Sequence, residues 1–259
     1  DGKPLLSVGI PAMDATAISW LPLAGLSRQA RVPVPWEIVI CQEDDSVSSA
    51  LIDQYRGRLV EAGCVRVVRV ILPEWVHLSR KWALIRDALS ESSEVFLLQG
   101  VDDYPHNTRL ASSWNVLQDG SVDWFHWDDM LFYDCNFDRW SIFRGESKPP
   151  LTPPRMGWTF HPCNPNMATR TEYLRHLPEE DVRRGVDGWV FYSIQKGLGR
   201  KPVIRSGECD EHLTGFGTTG FNTLSLSRIK QGRNPLSPFF PYEGSLTGIL
   251  GAEDAVRLK

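Results

Sequence analysis

Within its first hundred residues the chain alternates short apolar, β-branched runs with stretches of helical periodicity. That alternation restricts it to an α/β fold built on a mostly parallel sheet. Leu5–Ile10 (LLSVGI) stops at Pro11, which cannot donate to a strand ladder. Trp36–Cys41 (WEIVIC), Val65–Leu72 (VRVVRVIL) and Val95–Gln99 (VFLLQ) read as the next three strands. Between them, Ile18, Leu21 and Leu26 recur at helical intervals, but Pro22 and Gly25 predict a short or broken helix. Leu51, Ile52, Tyr55 and Leu59 share one helical face, with Ser46 or Ser48 to cap its start and Gly63 to end it. Leu78, Trp82, Ile85 and Leu89 predict a third helix over Ser79–Ser90. Four strands joined by three crossovers require right-handed connections and helices on both faces, and such sheets bind ligands beyond the carboxyl ends of their strands.

The second half is less regular. It predicts a helix through Leu110, Trp114 and Leu117, a strand over Val122–Trp127, a proline-rich loop over Lys148–Pro154 and a strand over Gly157–Phe160. A short helix over Thr171–Leu177 and a longer one over Val186–Leu198 follow, and a proline-rich tail is expected to wrap the surface. The chain of 259 residues is read as one domain. It divides into residues 1–104, 105–231 and a tail over 232–259.

A hydrophobic fraction of 42% and a charged fraction of 23% are those of a globular protein, and no apolar run reaches the roughly 20 residues of a membrane span. No signal-peptide pattern opens the chain. The five cysteines are scattered with no disulfide or zinc spacing, which together with the missing leader fits a reducing, cytoplasmic setting. A net charge of -4 leaves no chain-wide basic footprint for nucleic acid. The G-x-G-x-x-G turn of dinucleotide enzymes and the P-loop pattern are both missing, and the turn after the first strand, PAMDAT, is not the glycine-rich basic loop of a nucleotidyltransferase.

The most informative segment is VFLLQGVDDYPH, in which an apolar strand runs into Asp102 and Asp103. Adjacent carboxylates repel and need a cation or a donor, and oxygen ligation of this kind suits Mg²⁺ or Mn²⁺ holding a diphosphate. A solvated Asp-Tyr-Pro turn would use the same residues. A second acidic cluster, Glu43, Asp44 and Asp45, leaves the second strand on the same edge of the sheet.

Six segments, in order, resemble the GT-A glycosyltransferases of family 2. SVGIPAMD is similar to the opening strand and its nucleotide-facing loop, which assigns Pro11, Ala12 and Asp14 to the donor. EIVICQEDDS resembles the second strand and acidic loop, implying that Glu43, or else Asp44, meets the base. LSRKWALIRDAL is similar to the third helix, whose early arginine contacts the nucleotide, and Arg80 stands in that place. QGVDD resembles a variant of the metal-binding DxD motif: Asp103 corresponds to the ligand and Asp102 to its nucleotide-facing neighbour, with the register in which Asp102 is the ligand left open. Gly100 and Val101 supply no first acid. RRGVDGWVFYSIQKGLG resembles the acidic motif ahead of a helix, in which Asp187 fits the general base or a simple helix cap. CDEHLTGFG places His212 where the family completes its metal site, and Gly215, Gly217 and Gly220 would let that loop close.

The resemblance thus implies a Rossmann-like GT-A sheet flanked by helices on both faces. It implies an enzyme moving sugar, with inversion, from a nucleoside-diphosphate donor, above all a UDP-sugar, with Mn²⁺ or Mg²⁺ on the diphosphate; residues 1–104 would form the nucleotide-binding half and 105–231 the acceptor-binding half. The acceptor is an unspecified hydroxyl: a glycan, a lipid-linked sugar, a small molecule or a modified DNA base. It would lie between Asp187, the segment around Trp124 and Trp127, and the proline-rich loop. The alternative is a nucleotide- or carbohydrate-binding module that has lost catalysis.

Overall fold

A computed structural model describes residues 2–12, 18–43, 45–127, 129–134, 139–144, 167–177, 186–207, 213–215, 239–241 and 243–258. The first half follows the alternation: β1 (Leu6–Pro11), α1 (Trp20–Leu26), β2 (Trp36–Gln42), α2 (Ser49–Glu61), β3 (Cys64–Ile71), α3 (Leu78–Ala88) and β4 (Val95–Leu98). Local chemistry sets the ends. The Ser48 hydroxyl accepts from the Leu51 amide at 3.1 Å to start α2, and Gly63, at φ +94°, lets the chain turn directly into β3. The broken first helix is a single stretch of seven residues, all of them buried.

After β4 come β5 (Asp103–Tyr104), α4 (Arg109–Leu117), β6 (Trp124–Trp127), β7 (Asp129–Asp134), β8 (Arg139–Arg144) and β9 (Met167–Arg170). A 3₁₀ turn over Thr171–His176 then leads to α5 (Val186–Leu198), β10 (Ile204–Gly207), β11 (Leu213–Gly215), β12 (Phe239–Pro241), α6 (Leu246–Leu250) and α7 (Ala252–Leu258). The loop at Lys148–Pro154 and the strand at Gly157–Phe160 fall outside the described residues.

Seven strands form the main sheet in the order β10-β6-β9-β4-β1-β2-β3. β1 pairs parallel with both β2 and β4, and only β9 runs against its neighbours. A second sheet, β12-β8-β7-β11-β5, had no clear signature in the sequence. One face of the main sheet is covered by side chains of α1, α2, α4, α6 and α7, and the other by α3, α5 and the 3₁₀ turn, which gives two separate apolar cores. Side chains buried on both faces explain why β1, β2 and β4 are continuous apolar runs rather than alternating ones.

The last two helices belong to the first core through Leu246, Leu250 and Ala255. Arg28 ties them in by pairing with the buried Asp254 at 2.7 Å while donating to the Tyr104 hydroxyl at 2.8 Å. Burial raises the Asp254 pKa, with Arg28 acting in the opposite direction. Arg257 lies 4.6 Å over the Trp20 ring and donates to the Tyr55 hydroxyl at 3.1 Å. No helix among the described residues is long and apolar enough to cross a membrane.

The edge of the main sheet opposite the carboxyl ends is fastened by Asp123. It accepts from Arg200 at 2.5 and 2.9 Å, from the Val203 amide at 2.7 Å and from the Tyr173 hydroxyl at 2.7 Å. Burial pushes its pKa up, but the Arg200, Val203 and Tyr173 hydrogen bonds together leave it below the usual carboxylate value. A depressed folded-state pKa contributes stability above the unfolded pKa that is lost as pH falls through the folded one. Asp123→Asn should therefore cost about 1.5 to 2 kcal/mol at pH 7, the scale of a hydrogen bond to a charged acceptor discounted for the half-exposed Arg200. The gap between variant and wild type in urea unfolding should close towards pH 3; a gap independent of pH would contradict the assignment.

Candidate active site at the carboxyl edge of the sheet

Three chain segments leave the sheet side by side because β4, β1 and β2 are parallel neighbours. Pro11 and Ala12 end β1, Gln42 and Glu43 end β2, and Gln99 to Asp103 follow β4. The β2 and β4 exits are two strand spacings apart, roughly 10 Å. This brings Ala12, Glu43, Asp102 and Asp103 to one rim, as their sequence positions imply. Asp14, Asp44 and His212 lie outside the described residues.

Glu43 is held from two sides. Its Oε2 accepts from the Lys81 ammonium at 2.5 Å and its Oε1 from the Val76 amide at 3.1 Å. The same ammonium donates to the Ala12 carbonyl at 2.6 Å, so one buried cation joins the β1 and β2 exits. Arg80, the residue expected at the nucleotide, is half-buried one residue earlier in the first turn of α3, and Lys81 was not among the expected site residues. A signal was present: Lys81 sits four residues before Ile85 on the apolar face of its helix, where a charge needs a partner. Asp45 pairs instead with Arg69 of β3 on the exposed side.

Gln42 and Gln99 are the other residues the sequence reading missed, and they do similar work. The Gln42 amide accepts from the Val47 N–H at 2.9 Å and donates to the Val47 carbonyl at 3.2 Å, closing the acidic loop 43–46. The Gln99 amide donates to the carbonyls of Gly100 and Asp103 at 3.0 and 2.9 Å, closing the second acidic turn. Its oxygen accepts from Arg109, whose guanidinium is 2% exposed and also donates to the Leu98 carbonyl. Burial lowers the Arg109 pKa, and the charge of Asp103 acts to raise it.

The first-acid position of the motif is Val101 with Asp103 as ligand or Gly100 with Asp102 as ligand, and the structure gives a reason why no acid stands at Gly100. A Cβ built there would lie 2.0 Å from Asp103 Oδ2 and 3.2 Å from Asp102 Oδ1. Carboxylate oxygens of both aspartates therefore lie close to the Gly100 backbone, and Asp103 Oδ2 takes space that a side chain there would need. Carboxylate oxygens are of the kind that suits Mn²⁺ or Mg²⁺. Among the described residues no group of three acids, histidines or cysteines completes the set. β11 begins one residue after His212 and pairs with β5, Gly215 opposite Asp103, so the chain leading from His212 reaches the same turn.

Asp187 lies in the first turn of α5, whose side chains there are outside the description. The helix ends at the far edge: Gly197 packs on His176, and Arg200 binds Asp123. Thirteen residues span about 20 Å, so its first turn is directed back towards the carboxyl edge. Trp124 and Trp127 correct an expectation. At 0% and 4% exposure they belong to the two cores and offer no acceptor surface. The β6 strand that carries them is covered by helices on both sides, which a sequence count of tryptophans does not reveal.

Burial pushes the Cys41 thiol up to about 11 and the Cys64 thiol up to about 12, so neither is a thiolate nucleophile at neutral pH. A cleft of about 640 Å³ between α1, α2 and α7 borders the acidic loop through Asp45 and Ser46 and is lined by none of Ala12, Glu43, Asp102 or Asp103.

The fold and this rim define a GT-A-type α/β architecture. By sequence, the chain matches no protein-family model and no curated protein. By structure, it is similar to Staphylococcus aureus TarS residues 1–349 at TM-score 0.55 and 14% identity, over 82% of this chain and 60% of that one. It is also similar to the Pyrobaculum calidifontis mannosyltransferase PcManGT, solved with GDP-Man and Mn²⁺, at TM-score 0.52 and 17% identity, over 89% of this chain and 61% of that one. TarS has also been solved with UDP-GlcNAc, and that complex matches at TM-score 0.53. The chain thus spans about three fifths of the length of these structures.

Proposed function

We propose that the chain is a glycosyltransferase that moves a sugar from a nucleoside-diphosphate donor, a UDP-sugar above others, to a hydroxyl acceptor. The observation that carries this reading is the rim itself: Glu43, fixed by Lys81 to the β1 exit, stands two strands from the turn that carries Asp102 and Asp103. The shared fold with UDP-GlcNAc-bound TarS and GDP-Man-bound PcManGT supports it.

In this reading Pro11, Ala12, Asp14, Glu43 or Asp44, and Arg80 surround the nucleoside, Lys81 keeping Glu43 in place. Asp103, with Asp102 beside it and His212 joining from the β11 side, would hold a divalent cation. When bound, that cation neutralises charge on the departing diphosphate. Asp187 takes the proton of the acceptor hydroxyl as its oxygen bonds to the anomeric carbon, and the bond from that carbon to the diphosphate breaks with its electron pair leaving on the diphosphate. Attack opposite the leaving group inverts the centre.

The test is the slow release of UDP from UDP-sugars incubated with the protein and Mn²⁺ without an acceptor. Release that stops in Asp103→Ala and on chelation supports the transferase. Tight Mn²⁺-dependent nucleotide binding without release would instead support a binding module, a reading favoured by the missing first acid, since neither Gly100 nor Val101 supplies a carboxylate.

A further inference from the structure

We infer that Gln99 is a positioning residue for Asp103, itself oriented by Arg109; the inference rests on the proposed function only where Mn²⁺ is the readout. A fully buried guanidinium is costly unless its donors are satisfied and its charge is answered. Arg109 is 2% exposed and donates to two neutral acceptors, the Leu98 carbonyl and the Gln99 side-chain oxygen, while Asp103 is the charge that acts on it. An apolar residue would fill the same helix position without that cost. What the guanidinium adds is direction. By donating to the Gln99 oxygen it settles which end of that amide faces the acidic turn, so that the NH₂ group meets the Gly100 and Asp103 carbonyls.

The bracket acts on backbone at both ends of the turn. From within, Asp103 Oδ2 lies 2.0 Å from the place of a Cβ on Gly100, a position open to it because that residue has no side chain. Gln99 from below and Gly100 from within thus fix the direction of the oxygens before any ligand arrives. Holding a ligand in advance reduces the ordering cost of binding, and outer partners of metal ligands affect affinity by about 10- to 100-fold.

Two variants and two readouts test this. Gln99→Met removes the bracket at nearly constant length. Gly100→Ala requires only the end of the flexible Asp103 side chain to move, so it should fold normally. In metal-free protein, Gln99→Met should speed amide hydrogen exchange in the Gly100–Asp103 turn by at least about 10-fold while exchange in the β1 and β2 ladders is unchanged. With UDP present, both variants should weaken Mn²⁺ binding, read from the free-ion paramagnetic resonance signal, by about 10- to 100-fold. In an Asp103→Asn background the Gln99→Met loss should disappear, because the two act as one unit.

Unchanged exchange in Gln99→Met, or faster exchange with wild-type Mn²⁺ affinity in both variants, overturns the inference. Should Gln99→Met fail to fold, wild-type affinity in Gly100→Ala overturns it alone. A wild-type protein that binds no Mn²⁺ counts against the proposed function, and the exchange experiment still decides the bracket.

Discussion

Asp187→Asn should lower sugar transfer by about 10² to 10⁴-fold, the usual contribution of a general base, and leave donor binding unchanged. The substitution keeps size and helix-capping capacity, since asparagine caps as well as aspartate, so a purely structural role predicts little change. The direction of α5 motivates the experiment: with its last turn anchored through Arg200 and Asp123 at the far edge, its first turn faces the rim that carries Asp103. Single-turnover transfer to an acceptor found by screening sugar hydroxyls would give the rate, and calorimetry the donor affinity. A wild-type transfer rate removes Asp187 from the chemistry, whereas a loss confined to donor affinity moves it to the donor site.

The second large effect is expected at Lys81. Lys81→Met leaves the Glu43 carboxylate, 12% exposed, without its cation and the Ala12 carbonyl without its donor. Breaking a buried pair on one side costs about 3 to 5 kcal/mol, and the remaining exposure of Glu43 and its bond from the Val76 amide argue for the lower end. For a chain of this size, about 3 kcal/mol is a melting point lower by roughly 6 to 12 °C. Glu43→Gln in the same background should recover part of the loss, because a neutral amide needs no cation. Nucleotide affinity should fall along with stability in Lys81→Met, since the β1 and β2 exits lose their link. A melting point within a degree of wild type would show that Glu43 does not depend on Lys81.

Much of the first half was legible because its signals are local. Apolar runs bounded by Pro11, Gly63 or an acidic cluster mark β1 to β4 within a residue or two, and Ser48 marks the start of α2. Periodicity likewise found α5 and its buried Val190, Phe191 and Ile194. The second sheet was not legible: β5 has two residues and β11 and β12 three each, too short for any period, and each exists only through partners distant in the chain. Helices α6 and α7 were missed for a similar reason. At five and seven residues they are too short to be stable alone and depend on Arg28, Trp20 and the first core.

The rim divides in the same way. Acids read as candidates from their places at strand exits, Glu43 and Asp103, do lie on one edge, because parallel strands in adjacent order must bring their exits together. The residues that hold them are uncharged or belong to other elements. Gln42 and Gln99 look like ordinary ends of apolar strands, and Arg109 looks like one more polar residue at the start of a helix.

The sequence by itself determined the class of sheet, the edge at which ligands would be met and which carboxylates reach that edge, since these follow from periodicity and from where apolar runs stop. Only the tertiary structure decided how each carboxylate is held and aimed. That depends on which donors approach from elements 33 to 38 residues away, as Val76 and Lys81 do for Glu43, and on whether a neighbouring position has any side chain at all, as Gly100 shows for Asp103. Strand order is a consequence of local pattern, whereas the direction of a charged side chain is a consequence of packing.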